Sequence, residues 1–221
     1  LQRAWDQIVH DVCQNDQPVL IGVDRAGLVG EDGTSHQGMF TLSAHRQIPR
    51  LIIASPADEQ QLRALVRTAL AQDHPFTIHY PRDAAQGVPP REPALLPIGR
   101  SEVLAEGRDI VIAAFGPIVH RALAVAERLR ASGLSIGVVN AIWAKPLDDA
   151  LFRALGRTSK LLVTLEESVV AGGFGGAVLE SLAADEVTGG PPVSAHVLTV
   201  GIPAGSFVDH GSRSEEHTSE L

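Results

Sequence analysis

The stretch DIVIAAFGPIVHRALAVAERLRASGLSIGVVN, residues 109–140, sets the fold class. Its apolar run Ile110–Phe115 ends at Gly116-Pro117, a turn signal, and reads as a buried strand. Val119 to Ser132 then spaces its apolar residues at helical period until Gly133 stops it, and Ser135–Asn140 is apolar again. Strand, helix and strand within this length form a crossover unit with parallel strands. The pattern continues toward the C-terminus with a helix over Asp148–Leu155, a strand over Lys160–Leu165, a helix over Gly176–Ala184 and a strand over Ala195–Val200. Four strands alternating with helices predict a doubly wound, mostly parallel sheet.

Toward the N-terminus the same grammar recurs. Strands are predicted at Pro18–Val23, Leu51–Ala54 and Phe76–Tyr80. An amphipathic helix over Ala4–Gln14 precedes them, and another begins in Ser55–Glu59 and carries Leu62, Leu65, Val66, Ala69 and Leu70 on one face. Between the two units Pro89, Pro90, Pro93 and Pro97 interrupt any element and read as an extended linker. The expected organisation is an α/β chain of two doubly wound, mostly parallel-sheet domains: residues 1–88, a linker over 89–108, and residues 109–212. Residues 213–221, RSEEHTSEL, resemble a translated sequencing adapter and are set apart from the fold. Leu1-Gln2-Arg3 runs into a helix with no Met and no capping residue, so the chain is expected to be truncated at both ends.

Composition narrows the function classes. Aromatic residues make up only 4% of the 221, so the core rests on Val, Leu, Ile and Ala, the palette of buried parallel strands. With 18 basic against 26 acidic residues the net charge is −8, which argues against nucleic-acid and anionic-membrane partners. Phosphate binding must then come from local arginines. No apolar run approaches the roughly 20 residues that span a bilayer. The single Cys13 cannot form an internal disulfide, which fits a reducing cytoplasm, and it reads as a half-buried helix residue.

The chemistry-bearing stretch is DRAGLVGEDGTSHQG, residues 24–38, directly after a predicted strand. Open α/β sheets bind ligands at that end of their strands. The loop offers Arg25 to grip a phosphate, and Asp32 with His36 to hydrogen-bond or exchange protons with a polyol. Its glycines permit close backbone approach. On chemistry alone a solvated loop with incidental charges is equally consistent.

This loop resembles the Gly-Glu-Asp-Gly and Thr-His-Gln signature of the transketolase superfamily, and Asp24-Arg25-Ala26-Gly27 ahead of it resembles the 1-deoxyxylulose-5-phosphate synthase family. Leu1–Gln7, Ile48-Pro49, Ser55–Glu59 and Tyr80-Pro81-Arg82 resemble further segments of that family, in the same order. Lys145–Asp148 and Glu166-Glu167 resemble the transketolase C-terminal domain. The resemblance implies that residues 1–88 are part of a pyrimidine-binding domain and that 109–212 are an oligomerisation and regulatory domain. It implies a transferase that uses thiamine diphosphate and Mg²⁺ to condense pyruvate with glyceraldehyde 3-phosphate, releasing carbon dioxide, and that acts as a cytoplasmic homodimer. Arg25 and Arg82 would hold the phosphate, Asp32 and His36 would contact the acceptor and the reacting intermediate, and Arg3 would lie near the cofactor. The family's catalytic glutamate and its diphosphate and Mg²⁺ motif are not found in this sequence, so the chain alone is expected to be inactive. Three departures stand out: Ser35 where Thr is usual, Met39 where a small residue is usual, and Asp83 beside Arg82, where it could weaken the phosphate grip.

Other motifs have plainer readings. Gly172–Gly176 lacks the third glycine of a dinucleotide fingerprint, Val178 standing in its place, and reads as a turn packing a helix onto its strand. The remaining histidines show no metal-ligand spacing; His79, on a predicted strand next to Tyr80, is the one that can approach the loop. Two rival readings stay open: the beta subunit of a 2-oxoacid dehydrogenase, which the Arg25 loop disfavours, and a stand-alone, non-catalytic assembly module.

Overall fold

A computed structural model describes residues 2–30, 32–203 and 205–211. The adapter-like stretch 213–221 lies outside the described residues. In chain order the strands are β1 (Leu20–Val23), β2 (Ile52–Ala54), β3 (Phe76–His79), β4 (Glu102–Ala105), β5 (Ile110–Ala114), β6 (Ile136–Asn140), β7 (Trp143–Lys145), β8 (Leu161–Val169) and β9 (His196–Ile202). The helices are α1 (Trp5–Gln7), α2 (Thr41–Arg46), α3 (Glu59–Leu70), α4 (Val119–Arg130), α5 (Asp149–Thr158) and α6 (Phe174–Val187).

These elements form two α/β layers, as the alternation predicts. One sheet has the order β1-β3-β2-β7 and the other β4-β6-β5-β8-β9. In each, all neighbours run parallel except one antiparallel edge strand, β7 in the first sheet and β4 in the second. The inner strands β3 and β6 are buried at every residue, as strands covered on both faces must be. Among the described residues no helix is long and apolar enough to cross a membrane.

Local chemistry fixes the element ends. α3 starts because the Asp58 carboxylate accepts from the Gln61 amide at 2.7 Å, and Asp148 caps α5 through the Leu151 amide. Four features differ from the sequence reading. The expected helix over Ala4–Gln14 divides into a 3₁₀ turn at Gln2–Ala4, α1 and a π-helical stretch at Ile8–Cys13. The short helix α2 was not expected. β4 falls inside the stretch 89–108 read as linker, where it joins the edge of the second sheet beyond the prolines. The fourth is β7: directly after β6 the chain leaves the second sheet and pairs antiparallel with β2 of the first. The reversal turns on Ile142, whose φ of 60° is rare for a β-branched residue. β7 follows β6 with no Gly or Pro turn signal between them, so nothing in the sequence marks it as a separate strand.

The crossing strand goes with a shared core. Ile8, Leu42, Leu51 and Ile53 of the first unit pack in one buried cluster with Val111, Phe115, Phe152 and Phe174 of the second. Leu28 and Met39 of the loop are fully buried with Val169, Ile202 and Val208. Met39, a departure from the resembled pattern, is therefore a packing anchor between the units.

Candidate functional site

The site is built by the parallel pairing of β1 with β3. Val23 is the partner of His79 in the ladder, so the residues leaving both strands emerge side by side. The pairing runs on past the strands, with the Tyr80 amide donating to Val23 O at 3.1 Å and the Ala26 amide to Tyr80 O at 3.0 Å. Asp24-Arg25 and Pro81-Arg82 are thereby juxtaposed.

The loop then folds back over this edge. Gly27, Gly30 and Gly33 take φ near +78°, and the Gly38 amide donates to Gly27 O at 3.0 Å, closing the loop's base. A side chain at Gly38 is excluded, because its Cβ would lie 1.7 Å from Arg25 O. The Gln37 Oε1 accepts from the Val29 amide at 2.7 Å inside the loop. Closure carries Asp32 back to the strand ends. Its Oδ2 accepts from Arg25 Nε at 2.7 Å and its Oδ1 from Arg82 Nη1, although Arg82 lies 50 residues further along the chain. Arg25 is also bound by the carboxylate of Asp24, and its own φ is 58°. The hydrogen bond from Arg25, with the charge of Arg82, holds the Asp32 carboxyl below the usual carboxylate range. The bond to Asp32 and the charge of Asp24 raise Arg25 in turn.

His36 lies on the last turn of the loop with Ser35 Oγ 3.0 Å from its Nδ1. A hydroxyl at position 35 suffices for that contact, so the departure from Thr costs nothing there. Arg3, Asp24, Arg25, Ser35, His36 and Gly38 line one open groove of about 690 Å³. Asp83 accepts from the Ala84 amide at 2.8 Å and lines a neighbouring cavity with Tyr80 and Glu59. The five residues singled out in the sequence thus fall into two linked groups: Arg25, Asp32 and Arg82 on one another, and Arg3, Arg25 and His36 around the groove.

The second unit supplies the floor, which sequence reading did not foresee. Glu167 packs under Gly27, where an added Cβ would lie 2.8 Å from the Glu167 Cβ. With Ser55, His79 and Ser168 it lines a small cavity of about 30 Å³ beneath the loop. The Val169 amide donates to Met39 O at 3.1 Å. Burial lowers the His79 imidazole to about 3, and His45, edge-on to it with ring centroids 5.3 Å apart, to about 4. Glu166 turns to the N-terminus of α6, accepting from the Phe174 and Gly175 amides at 2.8 Å each and from Ser168 Oγ. Burial pushes it up to about 7 against those donors. Its carboxylate thus takes the amides of that helix end, and a Cβ at Gly175 would lie 2.6 Å from Thr164 Oγ1 and 2.8 Å from Thr199 Cγ2, the close contact of a turn that packs a helix onto its strands. Among the described residues no group of three or more His, Cys, Asp or Glu could hold a metal ion.

Comparison with known proteins bears on the whole chain. The transketolase pyrimidine-binding domain matches residues 1–87 and the transketolase C-terminal domain matches residues 99–218. The chain is 42% identical to the 1-deoxy-D-xylulose-5-phosphate synthase of Aquifex aeolicus (strain VF5), covering 96% of this chain and 33% of that protein. It is 45% identical to that of Listeria innocua over 96% of the chain and 33% of the relative. The chain thus spans about a third of the length of these curated relatives. Among solved structures, one described as a split gene transketolase, inactive beta4 tetramer, superposes with a TM-score of 0.85 at 30% identity, covering 99% of this chain and 67% of that one. Transketolase from Campylobacter jejuni shares the fold at a TM-score of 0.61 and 20% identity, over 89% of this chain and 28% of that one. With both domains matched in order and little of the chain left over, this protein belongs to the transketolase family.

Proposed function

We propose that this chain carries the acceptor-binding part of a 1-deoxy-D-xylulose-5-phosphate synthase, which joins pyruvate to glyceraldehyde 3-phosphate and releases carbon dioxide. The observation that carries the reading is the convergence of Arg25 and Arg82 on one anionic group at the ends of β1 and β3. Two guanidiniums meeting on one carboxylate form a site of the size and charge that a phosphate monoester needs. A 2-oxoacid dehydrogenase subunit has no phosphorylated sugar to bind and no use for the pair.

In this reading Arg25 and Arg82 fix the phosphate end, which orients the aldehyde toward the groove. His36 would donate a proton to the aldehyde oxygen, which takes up the electron pair of the C=O π bond when the aldehyde carbon is attacked, and Asp32 would accept a hydrogen bond from a substrate hydroxyl. The groove lined by the Arg3 cation and the His36 imidazole is, in this reading, the side of the site that would face thiamine diphosphate. When bound, thiamine diphosphate supplies the electron sink for losing carbon dioxide from pyruvate. No residue of this chain is assigned to Mg²⁺. The whole protein is expected to be a cytoplasmic homodimer.

Calorimetric titration with glyceraldehyde 3-phosphate tests the site. Arg25→Gln and Arg82→Gln are each expected to weaken binding about tenfold or more, the scale of one lost charge-assisted contact. Equal binding of glyceraldehyde and its phosphate would overturn the reading. A second reading, that the chain works as a separate subunit needing a cofactor-binding partner, is favoured by its likeness to the split gene transketolase. Both readings expect no pyruvate consumption by the chain alone with thiamine diphosphate, Mg²⁺ and both substrates.

A further inference from the structure

Arg25 and Arg82 do not present open guanidiniums to an incoming phosphate. Each donates to a different oxygen of the same Asp32 carboxylate, so Asp32 bridges them as two oxygens of a phosphate would. With Asp24 also on Arg25, the two guanidiniums already face two carboxylates. An anion entering here therefore meets guanidiniums that are already paired. It must take the place of a group held by two charge-assisted bonds. The carboxylate is built into a closed loop: the Gly27–Gly38 bridge returns the chain at the strand edge, and three glycines with positive φ lie before Thr34. Asp32 is thus delivered to the pair by the backbone rather than by a long, freely turning side chain.

We propose that Asp32 is an internal stand-in for phosphate, an autoinhibitory latch that occupies the two-arginine site until a phosphorylated ligand displaces it. This rests on the phosphate-site reading above and adds its regulation. Displacement couples two events. The ligand's phosphate takes the guanidiniums, and the freed carboxylate becomes available to the rest of that ligand. Ligands that offer a phosphate with nothing for Asp32 to bind, such as inorganic phosphate, must break the latch without that return. The latch therefore discriminates against bare phosphate in favour of phosphorylated polyols.

The consequence runs opposite to that of an ordinary binding residue: removing Asp32 strengthens the binding of inorganic phosphate. The test is calorimetric titration of the full chain with inorganic phosphate at low ionic strength, where charge competition is least screened. Wild type is compared with Asp32→Asn, Asp32→Ser, Arg25→Gln and Arg82→Gln, with circular dichroism reporting that each is folded. Asp32→Asn and Asp32→Ser are expected to bind about tenfold more tightly than wild type, as two charge-assisted bonds no longer compete. Detectable binding by these variants alone supports the latch equally. If they bind no more tightly than wild type, while the arginine variants lose binding, the latch is refuted and the phosphate site stands. If neither wild type nor the Asp32 variants bind phosphate, the site reading fails and the latch falls with it.

Discussion

His79 lies on β3 with its ring edge-on to that of His45, and both imidazoles are held neutral, at about 3 and about 4, chiefly because burial strips the charged form of water. The unfolded chain titrates both near the ordinary value of 6.5. As pH falls below that value the unfolded state takes up protons that the folded state refuses, so stability drops until the folded values are reached. Glu166 acts the other way, since its folded value of about 7 exceeds the unfolded 4.5 and the folded state gains a proton in the same window. Two histidines against one glutamate leave a net difference of about one proton. Between pH 6.5 and 5 the chain should lose on the order of 2 kcal/mol. Urea unfolding at both pH values measures this, and a His45→Gln variant should show a flatter dependence. An unchanged slope would mean that the histidines are wetter than their burial implies. The site arginines were legible because they sit where strands end, and strand ends are visible in sequence. His45 was not legible, because nothing in a short helix between loops marks one histidine as buried.

At the scale of elements, β7 shows what a local reading cannot reach. The long alternations at β5, α4, β6 and β8 were visible because many residues agree on one period. β7 has only three residues, and its partner β2 is far back in the chain. Its role lies in Trp143, which is fully buried and packs edge-on against Phe76 with ring centroids 5.8 Å apart. The Trp143 indole Nε1 is buried with no hydrogen-bond partner among the described residues, so the side chain contributes by volume and contact. Trp143→Ala should cost about 3–5 kcal/mol, as a large aromatic removed from a packed core does. Trp143→Phe keeps a ring and removes the orphan donor, and should cost less than about 2 kcal/mol. Equal losses in urea unfolding would assign the Trp143 contribution to its polar edge rather than its packing.

At the scale of the molecule, two α/β units divided by a proline-rich stretch suggest two folding units, the first less protected because its sheet has an open edge. The packing argues for one. The cluster from Ile8 to Leu182 draws on both sheets, so neither unit can open without exposing core residues of the other. Polar contacts cross the same boundary: Ser43 Oγ donates to Ala171 O at 2.8 Å, Arg46 Nε to Gly172 O at 2.8 Å, and Lys145 Nζ to Arg46 O at 3.1 Å and to Ile48 O. β7 adds a strand of the second unit's chain to the first unit's sheet, so the first sheet is completed only when the second is in place. Cooperative unfolding follows when the interface between units is as apolar as their interiors. Scanning calorimetry should give one transition, with calorimetric and van't Hoff enthalpies equal. The open edge then matters only locally. β1 has a neighbour on one side only among the described residues, while β3 is flanked on both. Amides of β1 should therefore exchange through small fluctuations, and those of β3 only through global opening. Two resolved transitions, or β3 exchanging as fast as β1, would mean that the cluster shared by the units does not bind them into one cooperative structure.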